Sequence, residues 1–74
     1  MNITVKLWGV LRINRFIEEV RQYSDGITVQ EVLEDLECQS PLLGAILING
    51  THASIDQTLQ EGDTLTLLTL LDGG

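Results

Sequence analysis

One segment of this chain is specified as a helix, and it is too short to stand alone. Thr28 is followed three residues later by Glu31 in a capping-box pattern, and Val29, Val32, Leu33 and Leu36 then recur at helical spacing. This predicts a helix over Val29 to Glu37, with Pro41 marking its end. Gln30, Glu31, Glu34, Asp35 and Glu37 fill the opposite side, a solvated face rather than a site. A helix of this length is stable only with its apolar stripe laid against another layer.

The remainder of the chain supplies that layer as strands. Ile3, Val5 and Leu7 alternate with Thr4, Lys6 and Trp8, the period of a half-buried strand that Gly9 ends. A second strand over Phe16 to Tyr23 leads to the turn cluster Ser24-Asp25-Gly26, and the two strands are placed to pair as a hairpin. Beyond the helix, Ala45 to Ile48 reads as a short buried strand, Asn49-Gly50 as a tight turn, and His52 to Ile55 as a brief strand. Leu59-Gln60-Glu61-Gly62-Asp63 then feeds a final strand, Thr64 to Leu70. Leu65 and Leu67 share one of its faces, and Thr64, Thr66 and Leu68 share the other. The order β-β-α-β-(β)-β describes an α+β roll, a four- to five-stranded sheet packed on one helix with its other face towards solvent. By the same parity Trp8, Leu68 and Leu70 fall opposite the core-facing set. They are expected to form an apolar protein-docking surface, unless Trp8 is tucked beneath a loop.

At 74 residues the chain makes one domain. A domain of that size buries about 60 to 65% of its unfolded surface and leaves little room for a deep cleft. Apolar residues make up 43%, and no stretch approaches the roughly 18 consecutive apolar residues of a membrane span. No basic region leads into an apolar run at the start, so a soluble, cytoplasmic protein is the expectation. Lys6, Arg12, Arg15 and Arg21 are the only basic residues, and residues 22 to 74 carry nine acids against a net charge of -7. Nucleic acid is an unsuitable ligand for such a chain, whereas a basic groove on a partner protein suits it; solubility alone would also account for the charge. Cys38 is the one cysteine, so neither an internal disulfide nor a Cys-rich metal site can form. His52 is the one histidine and reads as a surface loop residue. No Ser-His-Asp or Cys-His set stands out, and the acids follow no metal-ligand spacing, so metal is not expected.

The sequence closes on Asp72-Gly73-Gly74 behind a strand-like run. A carboxylate is a poor electrophile because its charge is delocalised, so an enzyme using it must first convert it to something like an acyl-adenylate, held beside ATP. Only a thin, flexible peptide reaches that far. Glycine lacks a Cβ and tolerates positive φ, so Gly73 can thread a narrow channel and present the Gly74 carboxylate. With a reference pKa of about 3.3 to 3.7, that carboxylate is ionised at neutral pH and able to attack a phosphoanhydride. Terminal fraying or a cloning scar would produce the same ending.

Three groups of residues resemble the MoaD/ThiS sulfur carriers, which share the β-grasp fold of ubiquitin. The first is Val5-Lys6-Leu7-Trp8-Gly9-Val10-Leu11-Arg12. The second is Asp25-Gly26-Ile27-Thr28-Val29 with Val32-Leu33. The third combines Ile48-Asn49-Gly50, Asp56 with Leu59, Glu61-Gly62-Asp63, the last apolar strand and Gly73-Gly74. Together they span almost the whole chain. The resemblance implies a mixed-sheet β-grasp domain over residues 1–71 and a flexible diglycine tail over 72–74. It also implies a co-substrate rather than an enzyme. An E1-like adenylyltransferase of the MoeB/ThiF type would adenylylate Gly74 with its own ATP, no cofactor being bound by the carrier. A sulfur donor protein would displace AMP, and the thiocarboxylate would deliver sulfur to a small-molecule precursor.

Within that family, Leu11-Arg12 after the first strand favours the MoaD branch, which feeds molybdopterin synthesis through a complex with a larger MoaE-like subunit. Thr69-Leu70 stand where many MoaD proteins carry proline, and Ile13-Asn14 where an acidic residue often follows. That departure resembles the ThiS branch, whose partner is thiazole synthase and whose product is the thiazole of thiamine. A ubiquitin-like protein modifier would use the same activated Gly74, and a plain β-grasp interaction module would leave it unused.

Overall fold

A computed structural model of the chain describes residues 1–8, 18–37 and 43–69. Its elements are β1 (Asn2–Leu7), β2 (Glu18–Gln22), α1 (Val29–Leu36), β3 (Leu43–Ile48), β4 (Thr51–His52) and β5 (Thr64–Thr69). The sequence readings at Gly9, the loop around Arg12, Phe16, Cys38, Pro41, Leu70, Gly73 and Gly74 lie outside the described residues.

The strands form one five-stranded sheet in the order β2-β1-β5-β3-β4. The expected β1–β2 hairpin pairing is present, with Ile3 opposite Arg21 and Val5 opposite Glu19. β5 lies parallel to β1 and antiparallel to β3, so the sheet is mixed and its last strand is central. One face of the sheet meets the helix. Ile3, Val5 and Leu7 from β1, Leu65 and Leu67 from β5, and Val29, Val32, Leu33 and Leu36 from α1 are buried in one core with Ile48 and Leu59. Fully burying one such side chain contributes roughly 1.5 to 3 kcal/mol, so this single apolar layer carries most of the stability.

α1 starts where the sequence places it. Thr28 Oγ1 accepts from the Glu31 N–H at 3.3 Å, and Glu31 Oε1 accepts from the Thr28 N–H at 2.9 Å, completing the capping box. A less obvious closure comes from the segment after β4. The Val29 N–H donates to the Gln57 carbonyl at 3.0 Å and the Gln30 N–H to the Ile55 carbonyl at 2.7 Å. The exposed donors of the first helical turn are therefore satisfied within the fold, and that helix end is not an open anion site. The helix finishes at Leu36, one residue earlier than expected, because Glu37 turns left-handed at φ 57°. The stop is thus made ahead of Pro41 by the backbone itself.

Other boundaries shift by a few residues. β2 begins at Glu18 among the described residues and ends before Tyr23, although the Tyr23 N–H still donates to the Met1 carbonyl at 2.9 Å. β3 begins at Leu43 rather than Ala45, with a register irregularity between those residues against β5. The larger correction concerns β4, expected over His52 to Ile55 and observed at Thr51–His52. Asn49 and Gly50 both take positive φ, at 53° and 83°, and this two-residue turn forces pairing to begin at once, with Thr51 opposite Ile48. The chain then leaves the sheet through a turn closed by the Gln57 N–H on the Ser54 carbonyl, to reach the helix N-terminus. His52 is consequently a strand residue facing Leu47 across β3–β4, exposed but not in a loop.

A polar cluster ties the helix to the sheet edge. The Tyr23 hydroxyl donates to Asp35 Oδ2 at 3.1 Å, while Arg21 lies 3.7 Å from the same oxygen and 2.8 Å from Glu19. Partial burial, then the hydrogen bond to Asp35 and its negative charge, push the Tyr23 hydroxyl up to about 12; Arg21 opposes this weakly. The fold thus favours the neutral phenol. Its contribution is present below the ordinary tyrosine value of about 10 and is lost as pH rises from there through about 12. Because Tyr23 is the chain's one tyrosine, tyrosinate absorbance reads it directly. The expected midpoint is near 12 in the native protein and lower in Asp35→Asn, where burial still raises it but the carboxylate's charge is gone; a native midpoint at 10 would refute the buried, paired hydroxyl.

Candidate functional site: the open sheet face and the end of β5

The face of the sheet opposite α1 has no layer over it among the described residues. Its rows follow from the strand registers. Lys6, Thr66 and Leu47 stand side by side across β1, β5 and β3, flanked by Glu18 on β2 and His52 on β4. One row nearer the end of β5, the Trp8 N–H donates to the Leu67 carbonyl at 3.0 Å, which extends the parallel ladder by one step and brings Trp8 beside Leu68. Ala45 lies on the other side of Leu68. Trp8 is 47% exposed and Leu68 half-buried. The backbone register thus sets these two residues side by side on the open face, at the last described rows of β1 and β5. Leu70, the third member of that set, and the Gly73-Gly74 end lie outside the described residues.

A polar clasp fixes β5 at its other end. The Asn49 side chain donates to Asp63 Oδ1 at 3.0 Å and accepts the Thr64 N–H at 2.9 Å, while the Asn49 N–H donates to the Thr64 carbonyl at 2.8 Å. Asp63 Oδ2 also accepts from the Gln60 N–H at 2.9 Å. Gly62, at φ +84°, makes the turn that lets its N–H reach the Asn2 carbonyl at 2.9 Å, and the Asn2 N–H donates to Glu61 Oε1 at 3.0 Å. The two sequence signatures Asn49-Gly50 and Glu61-Gly62-Asp63 are thus halves of one device that locks the start of β5 to β1 and β3. Slippage of β5 by one residue would turn Leu65 and Leu67 to solvent. Asp56 and Leu59 are structural too: Asp56 accepts from the Ser54 hydroxyl at 2.6 Å, and Leu59 is buried in the core. Sequence reasoning singled out these residues without seeing that they join. The signal was an Asn and an Asp each beside a turn glycine, too far apart in the chain to be linked by local pattern.

The helix-covered core, the open face and the pinned last strand make up the fold, and the comparison with known proteins gives the family that carries it. The sequence model described as the ThiS family matches residues 5–74. The chain belongs to the ThiS family. Its general class is that of the small sulfur carriers with a ubiquitin-like β-grasp fold. No curated protein sequence matches it. Among solved structures, this ThiS-family chain is similar to SAMP1 from Haloferax volcanii, at TM-score 0.79 and 21% identity with 100% of both chains covered. It is similar to the complex of subunits 1 and 2 of molybdopterin-converting factor from Helicobacter pylori, at TM-score 0.66 and 20% identity, again over 100% of both chains. Urm1 from Trypanosoma brucei matches at TM-score 0.74 and 17% identity, covering 99% of this chain and 95% of that one. At these identities the likeness is one of fold, and it agrees with the mixed sheet and single helix found for the ThiS-family domain.

Proposed function

We propose that this ThiS-family protein is a recycled sulfur carrier whose Gly74 carboxylate is the reacting group, with Gly73 giving it access to another enzyme's ATP site. The observation that carries this reading is the family match, which runs through β5 to residue 74 and so includes the diglycine. In the first step a Gly74 carboxylate oxygen attacks the α-phosphorus of ATP on an E1-like adenylyltransferase, and pyrophosphate leaves. A sulfide-level nucleophile from a sulfur donor protein then attacks the acyl carbon and AMP leaves, so that one carboxylate oxygen has been exchanged for sulfur. The thiocarboxylate is a better nucleophile than the carboxylate, and its sulfur displaces a leaving group from a small-molecule precursor to form a thioester. Water attacking the acyl carbon then breaks the C–S bond, leaving sulfur on the precursor and restoring the Gly74 carboxylate. The chain itself contributes recognition and delivery, and an ATP-dependent cycle of this kind belongs in the cytoplasm. Intact mass after incubation with ATP, a sulfur donor and the cognate adenylyltransferase tests it: one oxygen-to-sulfur gain, localised to Gly74, is expected.

Molybdopterin synthesis is the pathway we assign. Leu11-Arg12 supports it, as does the fold shared with a chain of the Helicobacter pylori complex of molybdopterin-converting factor subunits 1 and 2. Thr69-Leu70, where proline is absent, favours thiamine thiazole formation as the second reading. Supplying the loaded protein separately to a MoaE-like large subunit and to a thiazole synthase distinguishes them by which one accepts sulfur. Lysine-linked adducts on cellular proteins would instead point to a modifier.

Docking in this scheme uses the open face around Trp8 and Leu68, with Leu70 as the next residue of the same parity. Trp8→Ala is expected to weaken binding to the activating enzyme or the large subunit at least about tenfold, the behaviour of a buried aromatic anchor. Its thermal midpoint should stay close to that of the parent. A collapse in stability with unchanged affinity would place Trp8 in the core instead.

A further inference from the structure

The rim of β2 facing away from β1 carries a pattern that the carrier role does not use. Hydrogen-bonded and non-bonded residue pairs alternate along an antiparallel ladder. Met1 and Tyr23 exchange both backbone bonds, at 2.9 and 2.6 Å, so the opposed pairs Ile3–Arg21 and Val5–Glu19 are also of the bonded kind. Glu18, Val20 and Gln22 therefore turn their N–H and C=O groups outward, and among the described residues no strand lies beyond them. Val20 is 62% exposed. A shallow depression of about 600 Å³ runs beside this strand, lined by Glu19, Val20, Arg21, Gln22, Tyr23 and Asp35.

We infer that this edge pairs with the same strand of a second copy of the chain, antiparallel about a two-fold axis at Val20, joining two sheets into one. In that register Val20 meets Val20, Glu18 meets Gln22, and each of these pairs exchanges outward N–H···O=C bonds. Glu19 of one copy then stands opposite Arg21 of the other, and the reverse, on the helix side of the sheet. The charges select this alignment. Sliding by one step of the outward-bonding set in either direction sets Glu19 against Glu19 or Arg21 against Arg21, and like charges directly opposed are destabilising. An odd shift presents groups already bonded to β1. The self-complementary order Glu-Glu-Val-Arg-Gln thus fits an isologous contact. A five-residue edge between chains of net charge -7 makes this association weak; a dissociation constant of about 0.1 to 1 mM is expected for so small an interface. The inference rests on the strand geometry and is independent of the sulfur-carrier reading.

Sedimentation equilibrium and amide NMR on the full chain, from about 10 μM to about 2 mM at about 0.15 M salt, test the inference. The mean mass should climb from 8.2 kDa towards twice that value. The Glu18, Val20 and Gln22 amides should shift with concentration and gain exchange protection, while Glu19 and Arg21, already bonded within the sheet, change little. Val20→Pro removes an outward N–H that β1 does not use, a substitution an edge strand tolerates; it should abolish the concentration dependence without unfolding the domain. Glu19→Arg and Arg21→Glu should each remain monomeric alone but associate when mixed, because the mixture restores opposite charges in the same register. A mass fixed at 8.2 kDa throughout, concentration-dependent shifts confined to other strands, or undiminished association of Val20→Pro would overturn the inference. The first of those results would leave the edge to a strand of a different protein.

Discussion

Removing Gly74 is expected to reduce sulfur loading to background while the domain continues to fold. The effect is all-or-none because the new terminal carboxylate, on Gly73, would fall one residue, about 3.5 Å, short of the position the activating enzyme's ATP requires. The core and the clasp of Asn49, Asp63 and Thr64 lie elsewhere, so thermal unfolding should hardly move. Appending one alanine after Gly74 should act in the same way, since it buries the reacting group inside a peptide bond. Intact mass and a melting curve on the same samples read both halves of the prediction. Continued loading of either variant would refute the role of the chain end, and loss of folding in the deletion would show that the end is part of the body of the protein.

The second large effect is at Leu67. This side chain is fully buried in the central strand, between β1 and β3 and beneath α1. Leu67→Ala should cost about 2 to 5 kcal/mol, the range for removing a buried leucine and leaving a cavity. Against a total stability of about 5 to 15 kcal/mol for a native domain, that is a large fraction. In a domain of this size the thermal midpoint should fall by at least about 8 °C. Leu68→Ala, one residue further on but pointing to the open face, should cost about 1 kcal/mol or less, since that side chain is only half-buried. Its effect belongs in partner affinity. Equal losses of stability at the two positions would contradict the assignment of faces from which the docking surface is built.

These two adjacent leucines also show what local pattern carries. A period of two distinguishes Leu67 from Leu68 without any coordinates, and a period near four places Val29, Val32, Leu33 and Leu36 on one stripe; both assignments agree with the burial observed. The turn glycines were readable for the same reason, because Gly26, Gly50 and Gly62 take the positive φ that other residues resist. Boundaries were less legible. Nothing local to Glu37 announces a left-handed residue, and the length of β4 depends on where the chain must go next, back to the first turn of α1.

By itself, then, the order of residues determined the helix with its cap, the strands with their two faces, the acidic surface and the family to which the diglycine ending belongs. Only the tertiary structure decided that β5 inserts between β1 and β3, that Asn49 and Asp63 lock its start, and that Trp8 comes to rest beside Leu68. The division has a physical cause. Periodicity, capping and turn chemistry are fixed by residues a few positions apart, whereas strand order and cross-strand contacts are chosen by which long loop closures bury the most apolar surface, a sum over the whole chain that no short segment contains.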